Sequence, residues 1–321
     1  MKRALVLSGG GAKGAFQFGA LQFIFEKVIP EGQKCPFAII AGVSVGALNG
    51  VMLAMNKYPM MKEIWENIDN SKVYTGKMKT FPAILKIAFG NRSVLSNSPL
   101  ANLISKHVNL SDIDQKCDFR FGCVSLVDGE YRAFRPDDFN NNKDLQAAIL
   151  ASTVMPIVWE PVETITDIQG NIHRDVVDGG IRNISPLGDV IDNDPDEVII
   201  INCNASKIHR DEDSGKNIFG IAKRSLAEIA INEIFVSDLK EFLKVNYLVR
   251  QADAQGVKLK KESDQSKNYK AFKTVVIEPD TPLGDALDFS PNTTRSRINL
   301  GYKRAEEAFK DFINTNEIAS H

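Results

Sequence analysis

Short apolar runs alternate with longer segments of helical periodicity over most of the chain. Residues 3–7, 37–41 and 198–203 are mainly apolar runs typical of buried strands. Apolar residues at helical spacing follow the first two of these runs, from Gly14 and from Val45. Alternation of strand and helix predicts an α/β layered fold with a mainly parallel central sheet.

The pattern changes after residue 205. A polar stretch at 204–217 precedes a helical pattern at 218–250, a charged stretch at 251–270, a strand-like run at 272–278 and a helical pattern at 295–313. Since no linker, repeat or low-complexity tract occurs before residue 205, we expect one core over residues 4–205. We expect residues 206–321 to extend and complete the same domain, with a small separate subdomain as the alternative.

Composition excludes several classes of protein. The net charge of −2 and the pI of about 6.2 do not favour nucleic-acid binding. No apolar run approaches the roughly eighteen residues of a membrane span, and the N-terminus lacks the pattern of a signal peptide. The four cysteines form no metal-binding or Cys-x-x-Cys pattern. Because one of them, Cys203, ends a predicted buried strand, we expect reduced thiols in a cytoplasmic protein.

Ser44 is the candidate nucleophile. It lies in Gly42-Val43-Ser44-Val45-Gly46, between an apolar strand and a helix. A Gly-x-Ser-x-Gly sequence in that context predicts a nucleophile elbow, in which flanking glycines let the backbone bend and project the serine hydroxyl. The motif is short enough to occur by chance, so an ordinary tight turn is the alternative.

A glycine cluster, Gly9-Gly10-Gly11-Ala12-Lys13-Gly14, follows the first strand. Backbone N–H groups at a strand-to-helix turn favour negative charge, which beside an attacking serine is the oxyanion of a tetrahedral intermediate. The cluster also fits the Gly-x-Gly-x-x-Gly pattern of dinucleotide-binding proteins. However, the second strand ends at Ser44 rather than in the carboxylate that would hold a ribose. Lys13 precedes Gly14-Ala15, so the P-loop pattern also fails. A nucleotide-binding protein remains the alternative from another class.

A serine nucleophile needs a base. The chain has four histidines, each in a context typical of the surface: His107 at a helix end, His173 in a polar turn, His209 in a charged run and His321 at the C-terminus. The order Ser44–Asp178–His209 fits an ordinary triad only weakly. Asp178 is the better candidate, because it closes a short apolar run and is followed by Gly179-Gly180. A simple Asp-Gly turn is its alternative, and Asp128-Gly129 illustrates that alternative by joining two strand-like runs as a predicted hairpin.

Taken in order, these motifs resemble the patatin-like phospholipases. That family combines a Gly-Gly-Gly-x-Arg/Lys-Gly motif, a Gly-x-Ser-x-Gly elbow and an Asp-Gly-Ala/Gly triplet. Residues 151–156 with Pro161, and Ser98-Pro99-Leu100, resemble further blocks of the family. A weaker similarity occurs at 287–291 and at Gly301-Tyr302. The resemblance covers residues 4–205.

The resemblance implies a three-layer αβα fold and a lipid acyl hydrolase of the phospholipase A type. It implies Ser44 as nucleophile, Asp178 as general base without a histidine, and the backbone amides of Gly10 and Gly11 as the oxyanion hole. Lys13 occupies the family's basic position. The remaining motif glycines would support these groups: Gly9, Gly14, Gly42, Gly46, Gly179 and Gly180. Neither a metal nor an organic cofactor is needed for this chemistry. An esterase, thioesterase or acyltransferase of soluble substrates is the nearest alternative.

Residues 72–92 are a candidate membrane contact. The segment carries five basic residues and no acidic one, interleaved with apolar side chains: Lys72, Lys77, Lys79, Lys86 and Arg92. It is either a short core helix with solvated lysines or a mobile cap that docks on anionic bilayers. The second interpretation predicts an enzyme that is peripheral to the membrane.

Overall fold

An eight-stranded sheet forms the centre of the protein. The computed structural model describes residues 1–29, 35–76, 92–208, 210, 212, 215–216, 220–221, 223–262 and 264–318. The strands are β1 (Arg3–Leu7), β2 (Ile39–Val43), β3 (Asp118–Ser125), β4 (Tyr131–Phe134), β5 (Val162–Thr166), β6 (Ile172–Asp178), β7 (Glu197–Ile201) and β8 (Lys273–Ile277). Their order is β5-β6-β3-β2-β1-β7-β8, and β4 also pairs with β3.

The sheet has a parallel half and an antiparallel half. Strands β8, β7, β1, β2 and β3 pair in parallel. Strands β4 and β6 run antiparallel to β3, and β5 runs antiparallel to β6. The prediction of a mainly parallel central sheet is therefore confirmed.

Helices cover both faces of the sheet. They are α1 (Gly14–Phe23), α2 (Val45–Ala54), α3 (Tyr58–Asn67), α4 (Asn70–Val73), α5 (Ser98–His107), α6 (Asn142–Ala151), α7 (Gly188–Ile191), α8 (Ile231–Ala254) and α9 (Pro291–Ile318). A π-helical turn, Ile24–Val28, continues α1, and a second one, Lys223–Ala230, leads into α8.

The alternation of side chains along the strands divides the core in two. On β1, Leu5 and Leu7 pack in a large cluster with α1, α2, α3, α5, α6 and α9. Ala4 and Val6 point to the other face and pack in a smaller cluster with α7 and α8. Because successive residues of a strand point to opposite faces, a fully apolar strand must be covered on both sides. The result is the three-layer αβα arrangement that the resemblance implied.

Residues beyond 205 contribute to the same sheet and the same helical layers. Strand β8 extends the sheet by pairing with β7. Helix α9 packs against α1, where the rings of Phe23 and Tyr302 meet edge to face with centroids 5.3 Å apart. The Tyr302 hydroxyl also bonds Glu26 at 3.1 Å. The boundary of the core at residue 205 stays a prediction.

Three other expectations concern membranes, metals and thiols. Among the described helices, none is long and apolar enough to cross a bilayer. No group of three or more metal-ligating side chains that could hold an ion occurs in the part of the chain that the structure describes. The cysteines are free thiols, with Cys123 and Cys203 buried and the thiols of Cys35 and Cys117 in contact. The candidate membrane segment 72–92 lies mostly outside the described residues, because 77–91 are not among them.

Candidate active site

Ser44 occupies a sharp turn between β2 and α2. Its backbone has φ 57° and ψ −126°, a conformation that residues other than glycine rarely adopt. The turn packs tightly against the end of β1, since a Cβ built on Gly46 would lie 2.2 Å from the carbonyl oxygen of Leu7. Only glycine fits there. The strained backbone and this close approach together produce the elbow that the motif predicted.

A buried serine from the end of α6 holds the elbow in place. The Ser44 N–H donates to Oγ of Ser152 at 3.1 Å, and that hydroxyl donates to the carbonyl of Gly122 on β3 at 2.7 Å. Ser152 is fully buried. Sequence reasoning placed Ser152 only in a family-like block and gave it no role. Its hydrogen bonds fix the elbow relative to β3.

The register of the sheet brings Asp178 to Ser44. Strand β4 pairs with β3 along residues 121–124, so β2 and β6 share the opposite edge of β3. On that edge β2 ends with Val43 opposite Gly122, and β6 ends with Asp178 opposite Cys123. Because β2 and β6 run in opposite directions, their carboxyl ends meet. The Ser44 side chain thereby lies close enough to the Asp178 carboxyl group to lower its pKa.

The environment of Asp178 shifts its titration towards neutral pH. Burial raises the pKa of Asp178 to about 6, while hydrogen bonds from the Ser44 hydroxyl and the Gly180 N–H oppose that rise. The Gly180 N–H donates to Oδ1 of Asp178 at 2.7 Å. Asp178 is 9% exposed to solvent, and Ser44 is 8% exposed. The carboxylate is therefore ionised at neutral pH but is a stronger base than an exposed aspartate.

The glycine turn after β1 lies against the elbow. A Cβ built on Gly9 would be 3.3 Å from the Cβ of Ser44. Gly11 has φ 56°, a left-handed conformation that glycine adopts without strain, and the next amide, Ala12 N–H, donates to the carbonyl of Ala286 at 2.7 Å. Within the described chain, the amides of Gly10 and Gly11 donate to no protein acceptor. These two N–H groups are therefore candidate donors to a bound ligand.

Lys13 braces the same turn. Its Nζ donates to Oδ1 of Asn204 at 2.8 Å, beyond the end of β7. Gln17, one turn further along α1, is fully buried and donates to the carbonyl of Ser8 at 2.8 Å. The first turn of α1 is thus tied to the carboxyl ends of β1 and β7.

An apolar cavity of about 110 Å³ adjoins the elbow. It is bounded by Ser44 and Gly11 at one point and otherwise mainly by apolar side chains of α2, α3 and α5 and of the segment that follows α6. The main apolar contributors are Val45, Leu48, Val51, Met52, Met61, Ile64, Trp65, Leu100, Leu103, Ile104, Met155, Trp159 and Phe289. Such a lining suits an alkyl chain and does not suit the phosphates or base of a nucleotide.

Two histidines lie in the described part of the chain, and both are partly buried. His173 is in β6 rather than in a turn, its side chain is 12% exposed, and its Nε2 bonds Asp167 at 3.0 Å. The expectation of a surface turn at His173 is wrong, because the turn lies earlier, at 167–170. His107 ends α5, as expected, but it lines the apolar cavity. No described histidine bonds Ser44 or Asp178. His209 and His321 lie outside the described residues.

A comparison with protein families agrees with the motifs. The sequence profile of the family "Patatin-like phospholipase" matches residues 5–191, more than half of the chain. Among solved structures, the chain is similar to VipD from Legionella pneumophila, at 11% identity and a TM-score of 0.42, over 97% of this chain and 67% of that one. No curated protein matches the chain. The family resemblance seen in the motifs is confirmed, and the chain belongs to the patatin-like phospholipase family.

Proposed function

We propose that the protein hydrolyses acyl ester bonds of lipids, as a phospholipase A or a related lipid acyl hydrolase, through a Ser44–Asp178 dyad. One observation carries the proposal: Ser44 lies beside the buried carboxylate of Asp178 and lines an apolar cavity. Membership of the family supports a lipid acyl ester as substrate in general terms.

In the first step Ser44 Oγ attacks the ester carbonyl and its proton passes to Asp178. The tetrahedral intermediate develops negative charge on the carbonyl oxygen. The N–H groups of Gly10 and Gly11 donate to that oxygen, and such a donor is worth about 3–4 kcal/mol in a serine protease. Asp178 then gives the proton to the leaving alcohol, and an acyl-serine remains.

In the second step Asp178 acts as base again. It takes a proton from water, the hydroxide oxygen attacks the acyl-serine, and the fatty acid leaves as Ser44 regains its proton. A base works best when its pKa lies near the working pH, so burial that raises the pKa of Asp178 to about 6 favours this role.

The cavity supports a lipid rather than a soluble ester. An acyl chain that enters the cavity is removed from water together with the apolar side chains that line it. This burial stabilises the complex by about 0.8 kcal/mol for each methylene. An esterase, thioesterase or acyltransferase of short soluble acyl groups would gain nothing from the depth of the cavity. A preference for short esters without an interface would favour that alternative.

We further propose that this is a cytoplasmic enzyme that reaches lipid from the surface of a bilayer through residues 72–92. Basic side chains near an anionic surface contribute about 1 kcal/mol each, and salt weakens them. Charge reversal at Lys77, Lys79 and Lys86 should lower activity on anionic vesicles but not on a short soluble ester. An equal response of both substrates, or of neither, would place the membrane contact elsewhere.

The direct experiment measures fatty acid released from phospholipid vesicles by the wild type, by Ser44→Ala and by Ser105→Ala, an exposed serine on α5 that serves as control. A fluorophosphonate probe should label Ser44 alone, and Ser44→Ala should be folded and inactive. Labelling at another serine, or activity in Ser44→Ala, would overturn the proposal. Thermal stabilisation by nucleotides together with absent hydrolysis would favour the nucleotide-binding alternative.

A further inference from the structure

The cavity follows helix α2 from one end to the other. Its wall includes Val45 in the first turn of α2, Leu48 and Asn49 in the middle, and Met52 in the last turns. Ser44 precedes the helix. Ten residues of α-helix span roughly 15 Å. The cavity therefore extends from the nucleophile along most of α2.

His107 lies at the end of the cavity that is remote from Ser44. Lys57 follows the C-terminus of α2 by a few residues, and its Nζ donates to the carbonyl oxygen of His107 at 3.0 Å. This bond places the last residue of α5 beside the last turn of α2. His107 and Val108 both line the cavity at that point. The carbonyl of Val108 is fixed in turn by Gln146 of α6, at 2.7 Å.

His107 lies at the border between the apolar cavity and the protein surface. The residue is half-buried and lines the cavity, and the ion pair of the partly exposed Lys57 with the exposed Asp112 lies near its backbone. Burial lowers the pKa of His107, and the positive charges of Lys106 and Lys57 lower it further, against a smaller opposite effect of Glu63. The ring is therefore neutral at pH 7, which suits a group that faces a hydrocarbon chain.

We propose that His107 closes the far end of the cavity and so sets the longest acyl chain that the enzyme accepts. This inference rests on the proposed function and names a residue that determines its specificity. Helix α2, along which the cavity runs, is roughly 15 Å long, which is about half of the 30 Å hydrocarbon thickness of a bilayer. A cavity along this helix suits the acyl chain of one leaflet, and a longer chain must displace the His107 ring.

The test compares kcat/KM for p-nitrophenyl butyrate, octanoate, dodecanoate and hexadecanoate. His107→Ala should shift the preference towards longer esters, by about fourfold for each additional methylene that becomes buried. His107→Trp should shift it towards shorter ones. Lys106→Ala, an exposed neighbour outside the cavity wall, should keep the wild-type profile. An unchanged profile in both His107 variants, or a shift in the same direction in both, would overturn the proposal.

A binding assay separates this proposal from the proposed function. The chain has two tryptophans, and both Trp65 and Trp159 line the cavity, so their fluorescence reports its occupation. Fatty acids of increasing length are titrated into Ser44→Ala protein with and without His107→Ala. If His107→Ala raises the longest fatty acid that binds but the wild type hydrolyses no ester, His107 closes the cavity and the proposed hydrolase activity is wrong. If the wild type hydrolyses esters but His107→Ala does not change the longest fatty acid that binds, the proposed closure is wrong. The closure is also wrong if no fatty acid changes the fluorescence.

Discussion

The two halves of the sheet contribute different groups to the candidate site. In the parallel half, β2 and β7 are buried at every position, and β1 and β2 each lead through a tight turn into a helix. In the antiparallel half, buried and exposed positions mix, as in β6, where only the last three residues are fully buried. Ser44 and the glycine amides come from the first half, and Asp178 comes from the second.

The difference lies in how each group is positioned. Turns at the carboxyl ends of parallel strands place their residues at one edge of the sheet, which is the usual position of sites in α/β proteins. Asp178 reaches the same edge from the opposite direction, because β6 meets β2 along β3. The proposed dyad is therefore fixed by strand register across a junction of two pairing modes, and each half can be perturbed separately.

The largest effect is expected from the antiparallel half. Asp178→Asn should lower kcat by several orders of magnitude, nearly as much as Ser44→Ala, because members of a catalytic unit act together. Asp175→Asn is the matched control, since Asp175 lies on the same strand but is exposed and paired with Arg92. Steady-state hydrolysis of an ester gives both values. Equal losses in the two variants would mean that β6 matters for folding and not for chemistry.

A smaller effect is expected from the glycine turn of the parallel half. A Cβ at Gly11 would lie 2.4 Å from the carbonyl oxygen of Ala286, so Gly11→Ala must displace the turn and its amides. Loss of one oxyanion donor costs roughly 100- to 1,000-fold in kcat. Gly188→Ala, where no atom lies within 4 Å of the added methyl group, should leave kcat at the wild-type value. An active Gly11→Ala variant would exclude these amides from the oxyanion hole.

Ser152 ties the elbow to β3, the strand at which the two halves meet, and its loss should cost less. Ser152→Ala leaves the Ser44 N–H and the Gly122 carbonyl without their bridge. We expect a loss of about 1–3 kcal/mol in the free energy of unfolding, together with a fall in kcat that exceeds any change in KM. Urea denaturation and steady-state kinetics measure the two effects. If stability falls while kcat holds, Ser152 supports the fold but does not position the elbow.

The pH dependence of stability should reveal the burial of Asp178. The pKa of its carboxyl group is raised from 3.8 to about 6, so the folded protein holds this proton more tightly than the unfolded chain. The protonated Asp178 carboxyl contributes its full stabilisation to the free energy of unfolding below pH 3.8, and this contribution is lost as pH rises through about 6. The loss amounts to about 3 kcal/mol, and Asp178→Asn should not show it. The stability of the variant relative to wild type should therefore increase between about pH 4 and pH 7, as measured by denaturation. A constant difference would mean that the group titrates normally.

The sequence was most informative where structure depends on neighbouring residues. The apolar runs of β1, β2 and β7, the glycines of both turns and the hairpin at Asp128-Gly129 are local signals, and the structure contains each of them. The ends of α9 and β8 also lie within a few residues of the predicted bounds. In each case the pattern that defines the element lies within the element itself.

The sequence was least informative where distant segments meet. The hairpin of β5 and β6 was missed because its exposed residues hide the strand pattern, and His173 was misplaced with it. The contact of Cys35 with Cys117 and the position of His107 at the cavity depend on packing between elements far apart in sequence. Asp178 was selected as base without any local signal of its distance from Ser44, which the register of β3 determines.

The rate at which a fluorophosphonate labels Ser44, measured across pH, tests the dyad most directly. In the wild type the rate should rise through an apparent pKa of about 6 and then level off, as Asp178 ionises. Asp178→Asn should be slower by orders of magnitude without that step, whereas replacing His107, His173 or His209 by alanine should keep it. Wild-type labelling in Asp178→Asn, or loss of the step in a folded histidine variant, would contradict the Ser44–Asp178 dyad.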